Sequence, residues 1–247
     1  MFEKFKTFFT RCPVNHNRVI EFIPSSKEVD DFLETPSLSK SVIPQWYKDS
    51  PNFDPTNLQF DKGAIKKPLK MCVPFLDALT SGYVQKTWCE ISITASNDYA
   101  NYMWAVPPAI MEHRETPLSI PIDPSYVQAE FHWKMPWIVK VPKGYSLLIT
   151  HPHNRLDLPF TTLTGIIDAD EFHHVRFGQL PFYIKKTFNG IIPVGTPMFQ
   201  MMPIKREVWK SKRVKFNEEE IMKTDFSFSK YLFGAYKNFY WKKKKYD

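Results

Sequence analysis

The sequence has few cysteines, and it has no long hydrophobic run. Three cysteines, Cys12, Cys72 and Cys89, occur among 247 residues, and none forms a Cys-x-x-Cys pair. An odd count without paired spacing argues against a disulfide framework or a zinc ribbon, and it predicts buried free thiols in a reducing compartment. No segment reaches the ~18 apolar residues that cross a bilayer, and residues 1–10 carry three charges, so neither a membrane span nor a secretory leader is expected.

Glycine is scarce and proline is abundant. The chain has 8 glycines and 21 prolines, while 43% of its residues are hydrophobic and 16% are aromatic. So many prolines predict short elements, edge strands and turns rather than long helices. The hydrophobic content is sufficient for a folded core, so a disordered chain is not expected.

Alternating apolar and polar residues predict a series of short strands. In residues 86–94, for example, Cys89, Ile91 and Ile93 alternate with polar neighbours. Turn residues separate the candidate strands every 8–15 residues, which predicts a mainly β fold with a β-clip, jelly-roll or related sandwich core rather than βαβ units. Further strands are predicted at 19–23, 99–106, 127–133, 137–141, 145–150, 161–167, 180–186 and 198–203.

The chain divides into three parts on composition. Residues 1–70 read as an N-terminal arm with short helices, one of them starting at a capping box over Ser25–Glu28. Residues 71–207 read as the β core and include a short helix at 74–79. Residues 208–247 read as a basic, aromatic helical extension, with helices at 217–223 and 226–241. The apolar stripe of the second helix consists of Phe228, Tyr231, Leu232, Ala235 and Phe239.

The net charge of +7 is concentrated at the C-terminal end. Residues 205–247 carry 13 Lys or Arg and 6 Asp or Glu, whereas the rest of the chain carries 20 of each sign. Such a segment can contact an acidic partner or nucleic acid, lie on an anionic membrane, or pack on the core or a neighbouring subunit. We expect self-association and no membrane partner. The candidate contacts to an acidic partner are Lys210, Lys212, Arg213, Lys242, Lys243, Lys244 and Lys245.

His151 and His153 form the clearest candidate metal site. Two histidines separated by one residue on a strand point to the same face, and Asp157 follows four residues later. Two imidazoles and a carboxylate are the facial ligand set of non-heme iron, and a loosely cupin-like spacing of glycines surrounds them. His173 or His174 could add a third imidazole. An iron- or zinc-dependent enzyme at this motif is therefore one hypothesis, although the histidine of a second cupin motif is missing.

Residues 141–207 resemble the β-clip fold of trimeric dUTPases and dCTP deaminases. The similarity lies in Pro142–Tyr145 (PKGY), Gly165–Asp170 (GIIDAD) and Gly195–Gln200 (GTPMFQ), in that order. The resemblance implies a β-clip core and a nucleotide site in which Arg155 contacts phosphate, Asp168 contacts the sugar and Gln200 contributes. His153–Arg155 replaces the family's Arg-Ser phosphate motif, so dUTP hydrolysis is not expected.

The whole chain also resembles an uncharacterised family of proteins common in tailed phages. The residues behind this resemblance are Cys72–Tyr83, His151–Arg155 and Gly195–Arg206. It implies a viral protein in the host cytoplasm or in the virion. No complete catalytic motif or phosphate-binding loop is present. We therefore predict a non-enzymatic accessory or structural protein that associates through its terminal arms, with the metal site and the nucleotide site as alternatives.

Overall fold

Short antiparallel strands dominate the structure, which is a computed structural model describing residues 18–54, 56–61, 64–114, 120–172, 179–229 and 234–247. The strands are β1 Glu21–Pro24, β2 Ser37–Leu38, β3 Phe60–Asp61, β4 Ala64–Ile65, β5 Tyr83–Lys86, β6 Ile91–Ala95, β7 Ala100–Trp104, β8 Met111–His113, β9 Phe131–Lys134, β10 Trp137–Lys140, β11 Tyr145–Thr150, β12 Phe160–Thr162, β13 Gly165–Ile167, β14 Gln179–Ile184, β15 Asn189–Ile192 and β16 Pro197–Lys205. The helices are α1 Lys27–Phe32, α2 Gln45–Asp49, α3 Val73–Thr80 and α4 Glu218–Ser229, with 3₁₀ turns at Ser39–Val42 and Leu69–Met71 and a π-helical turn at Tyr236–Tyr240. The predicted mainly β class is confirmed.

Three antiparallel sheets form the body of the molecule. The largest has the strand order β13-β11-β16-β5-β2, the second β12-β14-β9-β8 and the third β15-β6-β7. Two-stranded ribbons, β1-β10 and β3-β4, complete the described strands. The β16 strand is the longest and pairs with β11 on one side and β5 on the other, so it runs through the centre of the largest sheet.

The inward faces of these three sheets share one hydrophobic core. Ile91 and Ile93 come from the third sheet, Trp133 and Phe182 from the second, and Leu147 from the largest, and all are at most 1% exposed. Trp133 stacks on Phe182 with ring centroids 3.7 Å apart. Burial of side chains this large is the main favourable contribution to folding, at roughly 25 cal/mol per Å² of apolar surface.

Two of the predicted strands are divided because the chain moves from one sheet to another. The predicted strand 86–94 begins at Lys86, the last residue of β5, and otherwise overlaps only β6 from Ile91 onward; β5 and β6 belong to different sheets. Between them Thr87 leaves the ladder, and its hydroxyl donates to the Pro193 carbonyl at 2.8 Å. The predicted strand 161–167 is likewise observed as β12 and β13. Periodicity alone does not reveal these crossings, because the alternation of buried and exposed residues continues across them.

Strands of the N-terminal arm pair with strands that follow in the chain, one in a two-stranded ribbon and one at the edge of the largest sheet. The β1 strand pairs with β10, and β2 pairs with the edge of β5. The predicted helix after the serine pair is observed as α1, but the predicted cap at Ser25 is wrong by one residue. Ser26 is the N-cap, and its hydroxyl accepts a hydrogen bond from the Val29 amide at 3.2 Å. Ser25 instead donates its amide to the Pro136 carbonyl.

The expectation of buried free thiols holds for one described cysteine and fails for the other. Both Cys72 and Cys89 are free; Cys89 is buried and Cys72 is exposed. Cys89 lies in the core just before β6, and burial raises the pKa of its thiol. Cys72 precedes α3 on the surface. Cys12 lies outside the described residues.

The predicted C-terminal helices are observed in part. The α4 helix begins at Glu218, one residue into the predicted segment 217–223, and continues to Ser229. In the predicted stripe, Ala235 is buried and Phe239 is exposed, while Tyr231, Leu232 and the Phe228 side chain lie outside the described part of the structure. None of the described helices is both long enough and apolar enough to span a bilayer.

Candidate functional site

The His151–Arg155 loop follows β11 and is held by Gln200 of β16. The Gln200 side chain is only 2% exposed. Its carbonyl oxygen accepts from the His153 backbone amide at 2.9 Å and lies 3.0 Å from His153 Nδ1. Its amide nitrogen donates to the carbonyls of Ala78 and Ser81, at 3.0 and 2.5 Å, at the end of α3. Gln200 therefore joins the loop to α3 and uses its carbonyl and both amide hydrogens within the chain.

Both ring nitrogens of His151 are engaged inside the fold. Nδ1 accepts from the Thr162 amide at 3.3 Å, so the proton of the neutral ring is on Nε2, which donates to the Arg155 carbonyl at 3.0 Å. Burial lowers the pKa of His151, while the bond to the Arg155 carbonyl opposes that effect. A metal ligand needs a free lone pair on a ring nitrogen, and this arrangement leaves none on His151.

The remaining predicted metal ligand, Asp157, is paired with a guanidinium. Arg155 Nε and one of its terminal nitrogens each lie 2.9 Å from an Asp157 carboxylate oxygen, and the other terminal nitrogen donates to the Val42 carbonyl at 3.3 Å. His151, His153 and Asp157 are therefore not assembled as a ligand set. No group of three His, Cys, Asp or Glu within the described ranges is arranged to hold a metal ion, and His173 and His174 fall outside those ranges.

Asp168 and Asp170, from one of the β-clip-like motifs, form an ionic clamp with Arg206. Arg206 donates to both carboxylates, at 3.1 Å to Asp168 and 2.8 Å to Asp170. Asp168 also accepts from the Ser146 hydroxyl at 2.6 Å, and Asp170 from the Gly144 amide at 2.8 Å. The hydrogen bond from Arg206 lowers the pKa of Asp170 to about 2. The clamp fixes the end of β16 to the loop after β13.

The three predicted nucleotide contacts do not converge on one pocket. Arg155 bonds with Asp157 and Val42, Asp168 bonds with Ser146 and Arg206, and Gln200 bonds with His153 and α3. Of the three, only Arg155 lines the groove described in the next paragraph. These side chains act as internal connections between elements of the fold.

An open, mostly apolar groove of about 520 Å³ lies beside the edge strand β15. We refer to it as the β15 groove. Ile191 and Val194, on its walls, are 57% and 60% exposed. Ser41 and Arg155 supply polar groups on its opposite wall. The apolar lining comprises Val42, Ile43, Pro44, Leu158, Pro159, Phe188, Ile191, Ile192, Pro193, Val194 and Pro197.

The segment 206–217, which we refer to as the connecting arm, carries large apolar side chains in full contact with solvent. It links β16 to α4 without helix or strand of its own. Val208, Trp209, Val214 and Phe216 are 93%, 83%, 75% and 79% exposed. Four basic residues, Lys210, Lys212, Arg213 and Lys215, stand between these side chains and are also exposed. Exposed apolar surface is a feature of interaction sites, and here four such side chains occur within nine residues.

The last residues of the chain fold back onto the core. Asp77 of α3 accepts from Trp241 Nε1 at 2.8 Å and from Lys244 Nζ at 2.6 Å. The Tyr83 hydroxyl donates to the Asp247 carbonyl at 3.0 Å. Of the predicted acidic-partner contacts, Lys244 is therefore engaged inside the chain. Lys242, Lys243 and Lys245 are exposed, as are Lys210, Lys212 and Arg213 in the connecting arm.

A buried polar face on the second sheet was not anticipated from the sequence. Glu130, His132 and Tyr183 are 6%, 3% and 7% exposed. Among the described residues, neither His132 nitrogen nor the Tyr183 hydroxyl has a hydrogen-bond partner, although His132 Nε2 lies 3.6 Å from Glu112 Oε2. Burial lowers the pKa of His132. The sequence signal was the alternation of Phe131–Lys134, which places His132 on the face opposite Phe131 and Trp133.

The comparisons with family models and with curated sequences give no match. No protein-family model matches this sequence. No curated protein sequence is significantly similar to it. The functional interpretation consequently rests on the arrangement of the residues described above.

Proposed function

We propose that this protein is a non-enzymatic accessory or structural β protein of the tailed-phage type, whose copies associate through the connecting arm. The observation that carries the proposal is the exposure of Val208, Trp209, Val214 and Phe216 along one extended segment. Exposing several large apolar side chains to water is unfavourable, and covering them with a partner removes that free-energy cost.

The size of the exposed surface fits a subunit contact. Trp209 and Phe216 can bury about 150–250 Å² each, so the two rings alone provide over a third of the ~800 Å² that each partner contributes to a standard interface. Aromatic and Arg residues are also enriched at interface centres, and Arg213 lies between the two rings in sequence. Extended terminal segments are a common way for subunits of symmetric oligomers to embrace.

The residues predicted to bind a metal or a nucleotide bond to other parts of the chain, which favours a structural role for the β core. Gln200 joins β16 to α3, His151 bonds to backbone on both sides of its ring, and Asp168 belongs to the ionic clamp. Two of the segments that resemble the tailed-phage family, 72–83 and 151–155, both bond to the Gln200 side chain, through Ala78 and Ser81 and through His153. The resemblance to that family therefore includes residues that connect elements of the core. On the basis of that resemblance, the proposal places the protein in the host cytoplasm or in the virion.

The test is sedimentation velocity of the full chain over a wide range of concentrations. We expect the wild type to associate and the double variant Trp209→Ser/Phe216→Ser to sediment as a monomer. The matched control is Phe32→Ser, which removes a ring that is 75% exposed on α1, far from the arm in sequence. A wild-type chain that stays monomeric at every concentration would contradict the proposal, as would a double variant that associates like the wild type.

A second candidate function is contact with nucleic acid through the same arm. Lys210, Lys212 and Arg213 follow the exposed Trp209 ring, and the segment can combine phosphate contacts with base stacking. Binding of labelled single-stranded DNA should weaken steeply with added salt, and the variant Lys210→Gln/Lys212→Gln should lower the salt dependence. Binding that is absent at low salt would exclude this candidate.

A further inference from the structure

The α4 helix carries an exposed stripe on which apolar side chains and carboxylates share one face. Ile221 and Met222 are 47% and 62% exposed, and Phe226, one turn later, is 62% exposed. Glu218 and Asp225 are also exposed. These residues recur three or four positions apart, so they follow one side of a helix with 3.6 residues per turn. We refer to the five residues as the α4 stripe.

The charges of the α4 stripe are negative, and the helix itself does not neutralise them. The helix has four acidic residues and one basic residue, Lys223. Lys223 bonds to Glu219 at 2.6 Å, outside the stripe. Among the described residues, Glu218 and Asp225 form no ion pair. The stripe therefore presents an apolar surface with two carboxylates that can pair with cations of another chain.

The connecting arm has the complementary composition. Residues 208–216 contain four basic residues and no acidic residue, together with four exposed apolar side chains. In an extended conformation alternate side chains share a side. Each side of the arm would then carry at least one large apolar group and two cations: Val208, Lys210, Lys212, Val214 and Phe216 on one side, and Trp209, Arg213 and Lys215 on the other. Either side can cover apolar surface and pair with carboxylates at the same time.

The arm and the stripe follow one another in the chain but are not paired with each other. The described ion pairs next to them, Lys205–Glu207 and Lys223–Glu219, are local. None of the described ion pairs joins the arm to α4, and both surfaces are exposed in a single copy. The arm is also long enough to cover the stripe, because nine residues span up to about 30 Å and the 12 residues of α4 span about 18 Å.

We infer that the connecting arm of one copy packs on the α4 stripe of a second copy. The inference rests on the proposed function and names the surface that the arm contacts. The apolar side chains of the two segments bury one another, while cations of the arm pair with Glu218 and Asp225. Every copy carries both surfaces in one continuous segment, so two copies can exchange arms and satisfy both contacts in a closed, isologous pair.

Charge reversal on each surface tests the pairing. The arm-reversed variant is Lys210→Glu/Lys212→Glu/Arg213→Glu, and the stripe-reversed variant is Glu218→Lys/Asp225→Lys. Sedimentation velocity gives the dissociation constant of each variant, and native mass spectrometry identifies heteromers in an equimolar mixture by their mass. Circular dichroism verifies that each variant is folded.

We expect each reversed variant alone to associate at least about tenfold more weakly than the wild type, because attraction between the two surfaces becomes repulsion. The equimolar mixture should form heteromers, since an acidic arm then meets a basic stripe and a basic arm meets an acidic stripe. A stripe-reversed variant that associates like the wild type would overturn the inference and leave the proposed function intact. A mixture that stays monomeric would also overturn it. A wild-type chain that is monomeric throughout would instead refute the proposed function itself.

The apolar part of the stripe provides a second readout that leaves the charge of α4 unchanged. Ile221→Ser/Met222→Ser should also raise the dissociation constant at least about tenfold. Its matched control is Met103→Ser/Ile191→Ser, which removes side chains that are 70% and 57% exposed on the third sheet. Glu220→Lys is the control for charge reversal, because it places a lysine in the first turn of α4 on the side away from the stripe. Both controls should associate like the wild type, and a loss in either that equals the loss in its stripe variant would contradict the inference.

Discussion

Gln200 shows how one buried amide can connect segments that are distant in sequence. Its partners are His153, 47 residues before it, and the carbonyls of Ala78 and Ser81, more than 110 residues before it. The four groups that it contacts would each lose a hydrogen bond if it were replaced by an apolar residue. An unsatisfied buried polar group costs about 1–3 kcal/mol, which makes Gln200 one of the most sensitive positions of the core.

We therefore expect Gln200→Leu to lower the free energy of unfolding by about 2–4 kcal/mol, because some of the freed groups can find water. Urea unfolding followed by tryptophan fluorescence measures the change. Gln128→Leu is the control: Gln128 is exposed and bonds to two carbonyls of a surface turn, so its replacement should cost less than about 0.5 kcal/mol. Equal effects of the two substitutions would refute the role assigned to Gln200.

His132, which is buried, and His151, which is half-buried, predict a loss of stability in mild acid. Burial lowers the pKa of both His132 and His151, which lies near 6.5 in an unfolded chain. Around His132, Lys134 and Arg114 lower the pKa further and Glu112 partly opposes them. The unfolded state thus binds protons more readily, so the stabilisation is complete above about pH 7 and declines as the pH falls below 6.5.

We expect the urea midpoint to decrease between pH 7.5 and pH 5.5. The variant His132→Asn should show a shallower decrease over the same range, because one of the two titrating groups is gone. Midpoints that do not change between these pH values in the wild type would contradict the burial of neutral imidazoles.

At the scale of elements, single side chains fix the ends of helices and strands, and each of these interactions can be removed by one substitution. The α1 helix begins at Ser26, and replacing a serine N-cap by alanine costs about 0.5–2 kcal/mol. Ser26→Ala should therefore destabilise the protein by about 1 kcal/mol, whereas Ser25→Ala should have little effect because Ser25 contributes its backbone amide and not its hydroxyl. Thermal unfolding of both variants distinguishes the two positions, and a larger effect at Ser25 would restore the capping box that the sequence suggested.

The ionic clamp provides a second prediction at this scale. Asp170 is fixed by Arg206 and by the Gly144 amide, and its carboxyl has a pKa of about 2. A lowered carboxyl pKa contributes stability that is complete above about pH 4 and is lost as the pH falls through 2. Asp170→Asn should lower the denaturant midpoint at pH 7 more than Asp168→Asn, since the Asp168 side chain is 64% exposed. The reverse order would contradict the clamp.

The sequence pattern predicted most of the strands of the core, but not the points where the chain passes from one sheet to another. Strand periodicity located β11 to the residue and β7, β10 and β16 closely, because half-buried strands alternate visibly. It missed the two places where the chain changes sheets, which depend on contacts such as the Thr87–Pro193 hydrogen bond. The His151 and Gln200 predictions identified residues at a real junction, but residue type cannot reveal whether a side chain's lone pairs are already used within the fold.

At the scale of the whole molecule, the described surface is asymmetric along β16. One end of the strand adjoins an apolar groove with an open strand edge, and the other end continues into an arm with exposed rings. The C-terminal tail returns to α3 through Asp77, so both ends of the extension are fixed to the core while the arm between them stays accessible. The arm is therefore accessible to the neighbouring copy that we propose it contacts.

The most direct test of self-association through the arm is native mass spectrometry of the full wild-type chain, purified without a metal-affinity tag. We expect multiples of the 29.1 kDa subunit without additional bound mass, and loss of these multiples in Trp209→Ser/Phe216→Ser. A monomer at all concentrations, or a monomer that carries a metal ion or a nucleotide, would contradict the assignment and return attention to the alternatives at His151 and Arg155.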